Sequence, residues 1–121
     1  VSAAVVLGIG VLGGLGAIAR FLLDGAVGER IGREFPYGTL AVNLTGALAL
    51  GALSGAVLSP DAFKLAGTGF VGAYTTFSTW AFESHRLEED GRRGLGAVNL
   101  LVSLVLGLLA AWAGRAVGGA L

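Results

Sequence analysis

The sequence predicts an all-α membrane protein with four transmembrane helices. Three observations predict it. Of 121 residues, 55% are apolar and only 13% are charged, against about 25% charged residues in an average soluble domain. With a mean hydropathy of +0.81, a soluble chain of this size would have too little interior to hide its apolar surface. The charges gather in three short clusters and leave four long uncharged runs between them. Glycine supplies 22 residues without a Gly-x-y period, which excludes collagen and suits helices packed closely in lipid.

The first run, Val1 to Ala19, is ended by Arg20. No basic segment precedes it, so a removable leader is not expected, and the absence of any Met suggests an initiator removed or a start not shown. The second run, Phe35 to Pro60, opens on a Phe-Pro-Tyr-Gly turn with Pro36 near the first helical turn. Ser59-Pro60-Asp61 is a stop and a restart, with Ser59 or Asp61 as the N-cap. The third run, Leu65 to Phe82, is ended by Glu83, and a polar stretch from Glu88 to Arg93 leads to the fourth, Gly94 to Gly114, ended by Arg115. Each run has roughly the 20 residues that a bilayer-spanning helix needs. With their flanks they place helices at about 2–27, 36–58, 61–90 (broken near 73–77) and 94–118 of a single domain, residues 1–121. Gly10 with Gly14, Gly51 with Gly55 and Gly114 with Gly118 are four apart, so each pair lies on one helix face and predicts close packing.

An even number of crossings puts both termini on one side. The loops 20–34 and 83–93 then share the other, with Arg20, Arg30, Arg33, Arg86, Arg92 and Arg93, against Lys64 and Arg115 opposite. The positive-inside rule places those two loops in the cytoplasm. Eight Lys and Arg balance eight Asp and Glu, there is no Cys, and one His. Nucleic-acid binding, disulfides, thiolate metal sites and Cys nucleophiles are therefore not expected. No phosphate loop or Ser/His/Asp constellation points to an enzyme. His85 reads as a surface residue.

The third run is unusual. Gly67, Gly69 and Gly72 and the hydroxyls of Thr75, Thr76, Ser78 and Thr79 stand where a hydrophobic centre belongs. The segment is either a tightly packed Gly/Thr helix or a broken one whose freed carbonyls suit a hard cation. Phe77 and Trp80 share a face, as core aromatics or as ring edges offered to an anion. Asn43, deep in the second run, joins helices or lines a wet path. Asn99 and Ser103 share a face, as a polar track or as bonds across helices. Arg20 and Glu83 are interfacial charges or lie beside such a path. No carboxylate falls within the first run or at mid-span elsewhere. That tells against a proton-coupled exporter of small multidrug-resistance type, which has the same size and expected span count.

Three segments together resemble the Fluc (CrcB) family of fluoride channels. They are Gly13-Gly-Leu-Gly-Ala-Ile-Ala-Arg20-Phe21, then Pro36-Tyr-Gly-Thr39-Leu-Ala-Val-Asn43-Leu-Thr-Gly46, then Gly69-Phe-Val-Gly72-Ala-Tyr-Thr75-Thr-Phe77-Ser-Thr79-Trp80 with Glu83. The resemblance covers nearly the whole chain and implies a passive, fluoride-selective channel that relieves fluoride toxicity in a prokaryotic plasma membrane. It implies four-helix subunits whose third helix is broken near its centre, in an antiparallel, dual-topology homodimer in the lipid bilayer, with two pores at its interface and a central structural Na⁺. Carried onto this chain, the pore residues are Asn43, Phe77, Trp80 and Ser103, with Thr39 and Thr79 as further hydroxyls. Arg20 and Glu83 border the vestibule, and the Na⁺ carbonyls are those of Gly72 and Thr75. Trp80 stands where the family has Phe, with its indole N–H as an added donor, and the family's fourth-helix tyrosine falls on Asn99. The six-to-two arginine bias is strong for a chain that inserts both ways. A heterodimer with a paralogous chain, this one as a non-conducting subunit, is the alternative to a homodimer.

Overall fold

The computed structural model describes Val1–Leu121, the side chain of Arg93 excepted. The chain forms α1 (Ala3–Ile31), α2 (Tyr37–Gly55), α3 (Pro60–Phe63), a π-helical stretch (Lys64–Val71), α4 (Gly72–Tyr74), α5 (Ser78–Glu89) and α6 (Arg93–Ala120). Among the described residues there is no strand. Local chemistry sets the ends. Ser2 accepts a hydrogen bond from Val5 N and caps α1, and Gly32, at φ 109°, closes it with its N–H on the Gly28 carbonyl. Ser59, not Asp61, caps α3 by accepting from Ala62 N, with Pro60 in the first turn. Gly91, at φ 81°, turns the chain from α5 into α6.

Three helices are long and apolar enough to cross a membrane: Ala3–Ile31, Tyr37–Gly55 and the Gly94–Ala120 portion of α6. At about 1.5 Å per residue the first is about 43 Å long. Arg20 does not stop it; the helix runs on to Ile31, beyond the end near 27 expected from the charges. Arginine is a good helix former, and a charge directed into the bundle gives the helix no reason to end.

The segment from Pro60 to Glu89 is interrupted, yet it runs the length of the bundle parallel to α1. Leu65 lies against Gly8, and Gly69 packs on the backbone of Ile9. Phe70 and Tyr74 meet Gly16. Past the break, Thr76 and Thr79 share a small cavity with Arg20 and Asp24. Further on, Glu83 and Arg86 share a small pocket with Arg33.

The most extensive packing joins α2 and α6. A Cβ on Gly51 would run into the Ala111 carbonyl, on Gly55 into that of Arg115, on Gly114 into that of Leu48, and on Gly118 into that of Ala52. Two of the expected glycine pairs therefore interdigitate across one seam, backbone against backbone. The pair Gly10 and Gly14 differs: neither has a neighbour within 4 Å of where its Cβ would be. Spacing puts them on one face, but the packed face of α1 is the one carrying Gly13 and Gly16.

Polarity is inverted relative to a soluble bundle. The largest fully buried side chains are Val42 and Asn99, and Thr39 and Ser84 are buried as well. Leu7, Val11, Ile18 and Phe21 of α1 and Leu101, Leu108 and Trp112 of α6 are exposed. Apolar outside and polar inside is the arrangement that lipid selects.

Candidate functional site at the helix break

Helical geometry ends at Thr75, whose backbone is extended at φ −83° and ψ 160°, and resumes at Ser78. The freed backbone groups are met by side chains. Asn43 faces the break from α2 and binds both polar groups of Thr76. Its Nδ2 donates to the Thr76 carbonyl at 2.9 Å, and its Oδ1 accepts from Thr76 N at 2.9 Å. The Thr76 hydroxyl then accepts from Thr79 N at 3.2 Å, capping α5. Thr75 turns its hydroxyl back onto the Val71 carbonyl at 3.1 Å.

These bonds have a consequence for two carbonyls. In an unbroken helix Thr76 N would serve the Gly72 carbonyl and Thr79 N the Thr75 carbonyl. Both N–H groups are diverted, one to Asn43 and one to the Thr76 hydroxyl. The Gly72 and Thr75 oxygens thus lose their helical partners.

On the α2 side, the Thr45 hydroxyl gives its one proton to a carbonyl of its own helix, Ala41 at 2.8 Å or Val42 at 3.1 Å. The Tyr74 hydroxyl 2.7 Å away is therefore the donor to Thr45. Gly46 admits this contact, because a Cβ there would collide with the Thr75 methyl.

Four of the residues singled out in the sequence converge. Asn43, Phe77, Trp80 and Ser103 line one groove of about 360 Å³, together with Thr75 and Thr76. Phe77 and Trp80 meet edge to face, ring centroids 5.3 Å apart and planes at 71°. Phe77 lines the groove and is 73% exposed. Asn43 both joins helices and borders the groove, since one of its two amide protons is used on Thr76. Gly72 lies in a second groove with Gly67 and Thr68, and Thr75 borders both.

Others fall elsewhere. Thr39 and Thr79 line the small cavity beside Arg20, Asp24 and Val42, separate from the groove. Arg20 Nε is buried there with no hydrogen-bond partner. Glu83 borders a further small pocket with Arg33, Glu34 and Arg86, and its Oε1 is buried and unpartnered. The indole N–H of Trp80 is not free for an ion: it donates to the Asn99 carbonyl at 3.3 Å. Asn99 bonds across helices to Ser84, and Ser103 reaches its Oδ1 at 3.4 Å. His85 is exposed and pairs with Glu89 at 2.7 Å on its own helix.

Sequence reasoning missed Ser84 and the capping role of Thr76. Ser84 is four residues beyond Trp80, so a shared helix face was available as a signal. Nothing local marked its partner on α6.

Residues 7–115 match the family described as CrcB-like protein, Camphor Resistance (CrcB). A Mycobacterium bovis protein named Fluoride-specific ion channel FluC 2 is 54% identical over 112 residues, covering 93% of this chain and 89% of the relative. One from Symbiobacterium thermophilum, Fluoride-specific ion channel FluC 1, is 47% identical over 116 residues, covering 91% and 94%. One from Geotalea daltonii, Fluoride-specific ion channel FluC, is 41% identical over 116 residues, covering 92% and 94%.

Proposed function

The chain belongs to the CrcB family, and from that premise we propose that it is a passive fluoride-specific channel, multi-pass in the plasma membrane, that lets fluoride leave the cell. The observation that carries this reading is the groove where Asn43, Phe77, Trp80 and Ser103 meet at the helix break. Fluoride holds its water tightly, so a path must offer replacement donors without trapping the ion. The second Asn43 amide proton, the Ser103 hydroxyl and the positive edges of two rings are such donors, and none carries a full charge. The 3.4 Å bond from Ser103 to Asn99 is long for a hydroxyl, so an arriving anion can compete for that proton.

The grooves lie on the protomer surface, which supports pores completed by a second, antiparallel copy. In this reading the segment Pro60–Glu89 is the fourth crossing, its break buried where two protomers meet. The Gly72 and Thr75 carbonyls fit a hard cation, because both are stripped of helical partners and sodium takes oxygen ligands. When bound, sodium supplies positive charge that holds the two breaks together. Arg20 and Glu83 mark the vestibule side. The arginine bias of the loops favours a second arrangement, in which this chain pairs with an oppositely inserted paralogue and does not conduct alone.

The test is efflux from liposomes containing the purified chain alone, loaded with fluoride or chloride, with an ionophore to remove the voltage limit. Fluoride is expected to leave fast, chloride to remain, and collapse of any proton gradient to change nothing. Well-folded protein that passes no fluoride would overturn the homodimer, and a strict need for a proton gradient would overturn the channel. In the same assay Phe77→Ile should slow fluoride about tenfold through loss of a ring edge. His85→Ala, on the surface, should stay within about twofold. Equal rates for the two variants would remove Phe77 from the path.

A further inference from the structure

The wall of the groove that contains Trp80 is held from behind by hydrogen bonds that ion conduction itself does not use. Asn99, 1% exposed, is buried in the seam between α5 and α6. Its Nδ2 donates to Ser84 Oγ at 2.7 Å, and Ser84 Oγ donates to the Trp80 carbonyl at 2.9 Å. The Asn99 backbone carbonyl, which Asn99→Leu would keep, accepts the Trp80 indole N–H at 3.3 Å, and the side-chain bond to Ser84 holds α6 close enough for it to do so. One residue of α6 thus ties down both the backbone and the ring of Trp80. An indole N–H only donates and must find an acceptor when half-buried. With that proton turned toward α6, the part of Trp80 facing the groove is hydrocarbon, set against Phe77 at 71°. If the seam loosens, the N–H can swing toward the groove and bind an anion strongly.

Resting on the channel reading, we propose that Asn99 is a positioning residue: by locking α6 to α5 through Ser84 it fixes the Trp80 ring and limits how strongly the groove holds the ion. Trp80 and Asn99 then act as one unit: Trp at position 80 needs an acceptor on α6, and the short amide at position 99, bonded to Ser84, lets the helices close enough for the backbone to provide it.

The experiment uses the full chain in a Trp112→Phe background, which leaves Trp80 as the sole indole. Trp80 emission and anisotropy are recorded alongside fluoride efflux from liposomes. Asn99→Leu, similar in volume and without polar atoms, should shift the emission, lower the anisotropy and slow efflux about fivefold. Ser84→Ala should reproduce the direction of all three, which keeps the test open if the leucine variant folds poorly. With Trp80→Phe as the starting protein, Asn99→Leu should change efflux less than about twofold, since the two act in series. Unchanged Trp80 emission in both seam variants would overturn the lock. So would an equal slowing by Asn99→Leu with and without Trp80. If the unmutated chain carries no fluoride, the self-sufficient homodimer fails separately, and the emission data still decide whether Asn99 holds the ring.

Discussion

Asn43→Leu is expected to cut fluoride efflux by about a hundredfold or more and to lower thermal stability by about 2–4 kcal/mol. Leucine keeps the volume and removes both hydrogen bonds to Thr76, each 2.9 Å long. The Thr76 N–H and carbonyl then stand open in the one stretch of the segment Pro60–Glu89 that has no helical partners to offer. An orphaned buried polar group costs about 1–3 kcal/mol, and partial rescue by other groups in lipid keeps the total below the simple sum. The flux loss exceeds the stability loss because the same amide also gives the groove its free N–H donor. Thr76→Ala serves as the comparison. It removes the hydroxyl that caps α5 and a methyl but leaves both backbone bonds to Asn43, a loss of about 1 kcal/mol, and should spare much more of the flux. The measurements are liposome efflux and thermal unfolding in detergent. If Asn43→Leu melted with the unmutated protein and conducted at more than half its rate, the amide would neither brace the break nor face the ion.

The second large effect concerns the seam of α2 and α6. Gly51→Ala and Gly114→Ala are each expected to destabilise by about 1–3 kcal/mol, and the pair together to prevent folding into a stable form. The smallest possible side chain is enough, because it would meet backbone carbonyls, of Ala111 and Leu48, that cannot rotate aside. The helices must separate instead, and without a hydrophobic drive between them in lipid their attraction falls quickly with distance. Gly10→Ala and Gly14→Ala, on the open face of α1, provide the contrast. They should be neutral or slightly stabilising, as alanine is the better helix former. Thermal midpoints of the four single variants check this. Equal behaviour of the two sets would mean that the seam does not depend on close approach.

The contrast between these glycine pairs shows what could be read in advance. Four-residue spacing is a property of one helix and identifies a face. Which face meets another helix depends on how distant segments dock, so Gly10 and Gly14 look the same as Gly51 and Gly55 in the sequence. Asn43 is a similar case. An intramembrane amide had to be satisfied by something, and that much follows from its place in an apolar run. Its partner lies 33 residues away, and no local pattern selects Thr76 over a neighbouring carbonyl. In the sequence the indole of Trp80 is a donor open to an ion; in the fold the Asn99 backbone carbonyl takes its proton. Ser84 carried no signal of its own because its role depends on the approach of α6.

By itself the sequence determined that the chain is helical, that lipid is its solvent, and which polar residues stand inside apolar runs. It also carried the segments by which the family is recognised. These follow from composition, from runs about 20 residues long and from side-chain chemistry, all of which act over short stretches of chain. Only the tertiary structure decided how those residues divide. Asn43, Phe77, Trp80 and Ser103 share a groove, Thr39 and Thr79 turn to the cavity beside Arg20, and two carbonyls lose their partners at the break. The physical reason is that lipid leaves buried polar groups only protein or trapped water as partners. Which partner each one finds is settled by helices that meet far apart in the chain.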